Sequence, residues 1–296
     1  MDVVCQGKEW DVALAVSPEG KVAAALPYLI GSKLGLRYIL QPQLTQYNGI
    51  WYNYKEFFPT NPSENVRLSF EHTHAHAIID QLDRLRLTCY VQAFSPAITN
   101  WQPFYERGFS QSTRYTYRIP DISDPQHVLS QFTESRRHMV VKMDAGFRLE
   151  ECRDAEWFAD FHQRYWNGKG QHDLLSHRFM SHLVAASIAH DSGAVMKLID
   201  ADGHVAAALF VVFDRWSAYL LLTAYSLQYY HNNSISVLIW KTLRWLSGRT
   251  KAFDFEGSMI PGKERFNRSF GAVQTPFFQI VKYSNPIVRW VVEHRK

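Results

Sequence analysis

The chain has 296 residues, 46% hydrophobic and 15% aromatic, with a formal net charge of +4. That content suits one large or two ordinary domains with full cores and leaves no low-complexity tract. The mild charge permits an anionic ligand without demanding nucleic acid. Its three cysteines, Cys5, Cys89 and Cys152, stand far apart and form neither a zinc spacing nor a disulfide framework, so a reducing compartment is expected. The opening MDVVCQGKEWDV has acids where a signal peptide needs bases. The longest apolar runs, such as AAALFVVF from Ala206, are too short to span a bilayer. A cytoplasmic chain with no membrane span is expected, as a monomer or weak dimer.

In chain order, WDVALAVSPEG and KVAAALPYLIG predict a hairpin turning at Pro18-Glu19-Gly20. LGLRYILQP adds a strand, and QPQLTQYNGIWYNY a polar, aromatic loop. Residues 73–86 show helical spacing. LTCYVQAF from Leu87 predicts a strand, TNWQPFYERGF a short helix and STRYTYRIP a strand. The stretch SDPQHVLSQFTESRRHMVVKMDAGFRLEEC predicts a helix and then a strand. Two helices follow, the first opened by an Asp cap in DAEWFADF. Three strands run through AVMKLIDADGHVAAALFVVFDRWSAYLLLTAYS, turning first at Asp202-Gly203. SISVLIWKTLRWLSG is an amphipathic helix.

The most informative stretch is FDFEGSMIPGKERFNRSFGA, from Phe253 to Ala272. Strand alternation puts Phe253 and Phe255 on one face and Asp254 and Glu256 on the other, the carboxylates about 6–7 Å apart. Gly257 and Ser258 stop the strand, and Pro261 suits a first helical turn. Phe266 and Phe270 share a helix face, and Gly271 caps the helix. Thr275 to Tyr283 predicts the next strand. The order strand, short helix, glycine, strand also occurs in CYVQAFSPAITNWQPFYERGFSQSTRYTYRI. That repetition implies two copies of one α/β unit. Their boundary falls within 120–150, giving domains 1–125 and 126–296.

This layout resembles the GNAT acyltransferase fold, and two such units in one chain look like the Fem-type peptidyltransferases. The pieces that carry the likeness are QPQLTQYNGI, TNWQPFYERGFSQSTRYTYRIPD and FDFEGSMIPGKERFNRSFGA. The resemblance implies an α/β (α+β) chain of tandem GNAT-like domains, each a mixed, mostly antiparallel sheet flanked by helices. It implies transfer of an acyl or aminoacyl group, from acyl-CoA or aminoacyl-tRNA as co-substrate, to an amine of a cell-wall precursor or amino sugar. No tightly bound cofactor is expected. The family's glycine-rich donor cradle maps to Gln228-Tyr-Tyr-His231-Asn232-Asn233, where larger residues replace both glycines, leaving the helix N-terminus from Ser234. Where many acetyltransferases carry a Tyr before the late glycine, this chain has Asn267.

Asp254 or Glu256 is the candidate base, with Tyr230 completing the catalytic set. The other reading makes the carboxylates a buried pair satisfied by Lys263, Arg265 or backbone N–H groups. The donor set is Gln228, His231, Asn232, Asn233, Ser234, Lys263 and Arg265. The acceptor set is Gln43, Gln46, Tyr47, Arg114 and Tyr115, the loop members also fitting an ordered connection. His72, His74 and His76 would share a strand face; with no acid near in sequence they read as a solvated or capping cluster, and no metal is expected. Arg136, Arg137 and Lys142 form a basic patch that would meet donor or tRNA phosphates, or simply a solvated face. The alternative to an enzyme is a non-catalytic GNAT-fold module binding a sugar-nucleotide or peptide.

Overall fold

The computed structural model describes residues 1–33, 35–229, 233–257, 259 and 262–293. The chain forms two compact units, Met1–Arg114 with Pro276–Lys296, and Tyr115–Thr275.

The first unit opens with α1 (Asp2–Cys5), β1 (Trp10–Val16), β2 (Val22–Lys33), β3 (Leu36–Leu40) and β4 (Trp51–Tyr52). Then come α2 (Tyr54–Phe57), α3 (Glu64–Arg84), β5 (Cys89–Ala93), α4 (Gln102–Glu106) and the start of β6 (Ser110–Ile119). The second unit takes the end of β6, α5 (Pro125–Gln131), α6 (Glu134–Asp144), β7 (Phe147–Cys152), α7 (Ala155–Gly168) and α8 (His177–Ala189). Its centre is β8 (Gly193–Asp200), β9 (Val205–Phe213), β10 (Ser217–Tyr225), α9 (Ser234–Leu246), β11 (Ala252–Asp254) and α10 (Lys263–Arg268). The chain returns to the first unit along β12 (Val273–Tyr283) and α11 (Pro286–Glu293).

In the first unit the sheet order is β1-β2-β3-β5-β12, antiparallel except for the parallel β3/β5 pair. Its hairpin turns where predicted: Gly20, at φ +81°, donates to the Ser17 carbonyl at 2.9 Å. Ala75, Ile78, Ile79 and Leu82 of α3, spaced for one helix face, are buried in this core with Leu26, Ile39 and Phe94. Each buried Ile, Leu or Phe side chain contributes about 1.5–3 kcal/mol. Gln81 also faces β1: its side-chain amide both accepts from and donates to the Leu14 backbone, covering part of that exposed edge.

In the second unit the order is β6-β11-β10-β9-β8-β7, antiparallel except for β10/β11. Val237, Leu238, Ile239, Trp240, Leu243 and Leu246 bury α9 against Ala207, Leu209 and Leu220 of the sheet. The mixed, mostly antiparallel sheets with flanking helices match the expected fold class.

Three expectations differ from what is found. α3 begins at Glu64 rather than near residue 73, because Val66, Leu68 and Phe70 of its first turns alternate and form no helical apolar stripe. The stretch from Pro125 folds as two helices, separated where Phe132 is extended. Residues 276–296 lie in the first unit rather than the second, because β12 pairs with β5 over Gln279–Tyr283. Likewise β6 runs beyond the first unit to pair with β11.

Candidate functional site

The site grows from one row of three side chains in the second unit. Register pairs Tyr219 of β10 with Asp254 of β11, and Asp254 with Arg118 of β6. The preceding row, Ala218, Phe253 and Ile119, is buried on the opposite face. Because successive strand residues alternate in direction, the polar row shares a face. β11 stops at Asp254 while β10 continues to Tyr225, so these parallel strands part directly beyond Tyr219 and Asp254. In open α/β sheets, the crevice beyond the carboxyl ends of parting parallel strands is where ligands bind.

Asp254 is fully buried. The Thr116 hydroxyl donates to its Oδ1 at 2.5 Å and the Glu256 N–H to the same oxygen at 2.9 Å. Arg118 Nε stands 3.5 Å from Oδ2, and Arg118 Nη2 donates to Ser217 Oγ at 2.9 Å. Burial raises the Tyr219 phenol above its ordinary pKa, and the charge of Asp254 adds to the effect.

Glu256 is held differently. Its φ of +56° is left-handed, a conformation that costs a side-chain-bearing residue roughly 1–2 kcal/mol. Such strain concentrates at functional sites. Loss of water around its carboxyl, with the negative charge of Asp254 second, pushes its pKa up to about 8. The backbone follows β6 so closely here that a Cβ on Gly257 would lie 2.2 Å from the Tyr115 carbonyl oxygen.

The strand reading of 253–256 therefore needs correction. Phe253 and Phe255 are both buried, their rings 5.0 Å apart, but β11 ends at Asp254 and Glu256 turns out of the strand. The cation paired with Asp254 is Arg118; Lys263 and Arg265 lie exposed on α10. Sequence reasoning passed over Thr116, Arg118, Ser217 and Tyr219. Thr116 and Arg118 carried a signal, the polar alternation of STRYTYRI opposite Tyr115 and Tyr117; Tyr219 lay in an apolar strand and carried none.

Of the expected site residues, Tyr230 of the catalytic set and His231 and Asn232 of the donor set lie outside the described residues. Asn233 is the N-cap of α9 with φ +58°, in the left-handed region. Ser234 and Ser236 are buried in the first turn. Rather than capping α9, the Ser236 hydroxyl accepts from Arg136 Nη1. Arg136 Nε donates to Ser269 Oγ at 2.9 Å, and its guanidinium lies 4.9 Å from the ring centres of both Phe266 and Phe270. Among the described residues Arg136 has no ion pair, so a half-buried positive charge stands at the positive end of a helix dipole. Gln228 lines a cavity of about 350 Å³ with Arg164, Tyr165, Tyr225 and Ser226. Tyr229 donates its hydroxyl to Asp200.

The acceptor candidates fall in both units. Gln43 is exposed and accepts from Gln6 at 2.8 Å, while Gln46 donates to the Tyr47 hydroxyl at 2.8 Å. Tyr47 packs edge-on against Phe277 at 5.2 Å, and Arg114 donates to Gln279 at 3.0 Å. Tyr115, of the second unit, is partly exposed. The loop around them is well pinned: Ala93 N–H donates to Gln41, and Gly49 sits under the Phe94 ring.

Comparison with known proteins identifies the architecture. Residues 131–268, inside the second unit, match the family model described as an acetyltransferase (GNAT) domain. The structure superposes on that of FemX with a TM-score of 0.73 at 12% identity, covering 98% of this chain and 91% of FemX. The chain therefore has the tandem GNAT fold. L-PGS from Bacillus licheniformis is similar at a TM-score of 0.58 and 11% identity, over 98% of this chain and 88% of that one. A tandem GNAT protein from the clavulanic acid biosynthesis pathway follows at 0.53 and 10%, over 94% and 84%. A sequence comparison with curated proteins finds no match. Among the described residues, no helix is long and apolar enough to cross a membrane.

Proposed function

We propose that the chain transfers an acyl or aminoacyl group from an activated ester, an acyl-CoA thioester or an aminoacyl-tRNA ester, to an amine. The observation that carries this reading is Glu256: a carboxyl with a pKa near 8 just past the point where β10 and β11 part. A general base works best with a pKa close to the working pH, and an ordinary carboxylate is too weak for an amine. The amine nitrogen attacks the donor carbonyl carbon. The new C–N bond forms, the C–S or C–O bond breaks, and Glu256 takes the proton from nitrogen. The Tyr219 hydroxyl is the proton source for the leaving group. Asp254, held by Arg118 and Thr116, keeps Glu256 basic and fixes its backbone. No covalent enzyme intermediate is required.

Among the described strands β9 flanks β10 beyond Tyr219, and an extended donor would lie along the other edge of β10, with backbone N–H groups polarising its carbonyl. Arg136 and the α9 N-terminus supply positive potential for donor phosphates. The acceptor would be a small molecule or a cell-wall precursor carrying an amine. Tyr115, of the same unit as Glu256, remains a candidate contact.

The test is direct incubation of amine acceptors with labelled acetyl-CoA, longer acyl-CoA or charged tRNA, beside thermal shift with each donor. A donor at a hundred times its dissociation constant adds about 2.7 kcal/mol of stability. Product from one donor class, lost in Glu256→Gln while that donor's shift persists, supports the reading. Neither product nor shift with any donor contradicts it and favours the non-catalytic binding module.

A further inference from the structure

We infer that His72, His76 and Glu106 of the first unit form a site for a divalent transition-metal cation, with Zn²⁺ the best-matched ion. From the sequence, with no acid nearby, the histidines read as a solvated or capping cluster. They instead lie on α3, where His72 and His76 are one turn apart, their ring centres separated by 4.4 Å. The fold then brings in an acid 30 residues further along, Glu106 of α4.

One oxygen of that acid sits between the two rings. Glu106 Oε2 is 2.8 Å from His72 Nε2 and 3.0 Å from His76 Nε2. One ligand atom from each of the three residues lies within 4.8 Å of the others. Two imidazoles and a carboxylate are a three-ligand set that suits zinc and leaves a fourth position for water or another ligand. Zinc bonds of about 2.0–2.2 Å would place tetrahedral ligand atoms roughly 3.3 Å apart, so the two carboxylate–imidazole distances need to open by only a few tenths of an ångström.

The surroundings fit such a centre. Gln102 donates to Glu106 Oε1 at 3.0 Å, orienting the carboxylate as outer partners of metal ligands do. His72 borders a cavity of about 420 Å³ lined by Leu68, Ser69, Asn100 and Gln102, with room for the fourth ligand. The three side chains are 25–49% exposed and so within reach of a free ion. One neighbour acts against it. Arg107 Nη1 stands 3.5 Å from His76 Nδ1, favouring a proton on the nitrogen that must bind. That is the longest contact in the cluster, and Arg107 is held chiefly by Asp80 at 2.5 Å and Asp83 at 2.9 Å. Releasing His76 costs little, and those two acids offset the cation's charge.

The test is equilibrium binding of Zn²⁺ to the untagged full chain, repeated with Co²⁺ to read ligand geometry from its visible spectrum. His72→Asn, His76→Asn and Glu106→Gln are compared with His204→Asn, a control from the exposed Asp200, Asp202 and His204 group. One ion should bind at this site. Its affinity should drop at least about tenfold in each of the three variants, the loss expected even for an outer partner of a metal ligand, and stay unchanged in the control. Circular dichroism confirms that the variants are folded. Absence of binding, or binding that all three variants leave intact, overturns the assignment.

Discussion

Tyr219 and Asp254 face each other as the last register pair of the parallel strands β10 and β11, and Asp254 in turn faces Arg118 across β6. A phenol, a carboxylate and a guanidinium thus form one row where two strands separate. The carboxyl of Glu256 follows just beyond that row. The proposed chemistry rests on this placement.

Glu256→Gln should cost about 10²–10⁴ in the rate of transfer, the usual range for a lost acid–base group. Donor binding should persist. In the parent chain the rate should rise with pH toward a plateau above about 8, because the base must lose its proton to act. The variant should lose that rise. A pH–rate profile of both proteins checks the expectation.

The same carboxyl predicts how stability depends on pH. Its folded pKa, about 8, is above the ordinary value of 4.5, so between these values the folded state binds more protons than the unfolded state. Its favourable contribution is complete below pH about 4.5 and is lost as pH rises through 8. Chemical denaturation at pH 5.5 and 8.5 should show Glu256→Gln gaining on the parent chain at the higher pH. The gain should be on the order of a few kcal/mol.

Arg118→Ala should destabilise the chain by about 3 kcal/mol, because it leaves Asp254 as a fully buried charge without its cation. The bonds from Thr116 and the Glu256 N–H keep the effect at the low end. Replacing both partners together, Arg118→Met with Asp254→Leu, should restore part of that stability while abolishing transfer. Urea midpoints of the single and double variants measure this.

The sequence made much of the fold legible, and the reason is periodicity. The hairpin at Pro18-Glu19-Gly20, the helix α9 and the three strands β8–β10 follow from apolar spacing and turn residues. Asp254 and Glu256 were also visible, as charges in an aromatic run. Their separate roles were hidden because the left-handed backbone of Glu256 depends on the fit of Gly257 against β6, a tertiary contact. Arg118 and Tyr219 were missed for a related reason: strand register, which no local pattern encodes, brings them to Asp254. The path of β12 back to β5 was likewise nonlocal, and it moved residues 276–296 into the first unit.

Arg136→Gln tests the donor end. If its charge holds donor phosphates, the variant should raise the donor KM by about tenfold with little change in kcat, the pattern of lost uniform binding. The remaining contacts to Ser236 and Ser269 keep the structural effect small. Steady-state kinetics with the donor varied decides between this outcome and an equal fall in kcat.

The most direct test of the account is the titration of Glu256 itself. Carboxyl-labelled glutamate in the parent chain and in Glu256→Gln gives a difference ¹³C spectrum that isolates this one group. A midpoint near pH 8 is expected. A midpoint near the ordinary glutamate value of about 4.3 would contradict it, leaving no base of suitable strength at the parting of β10 and β11.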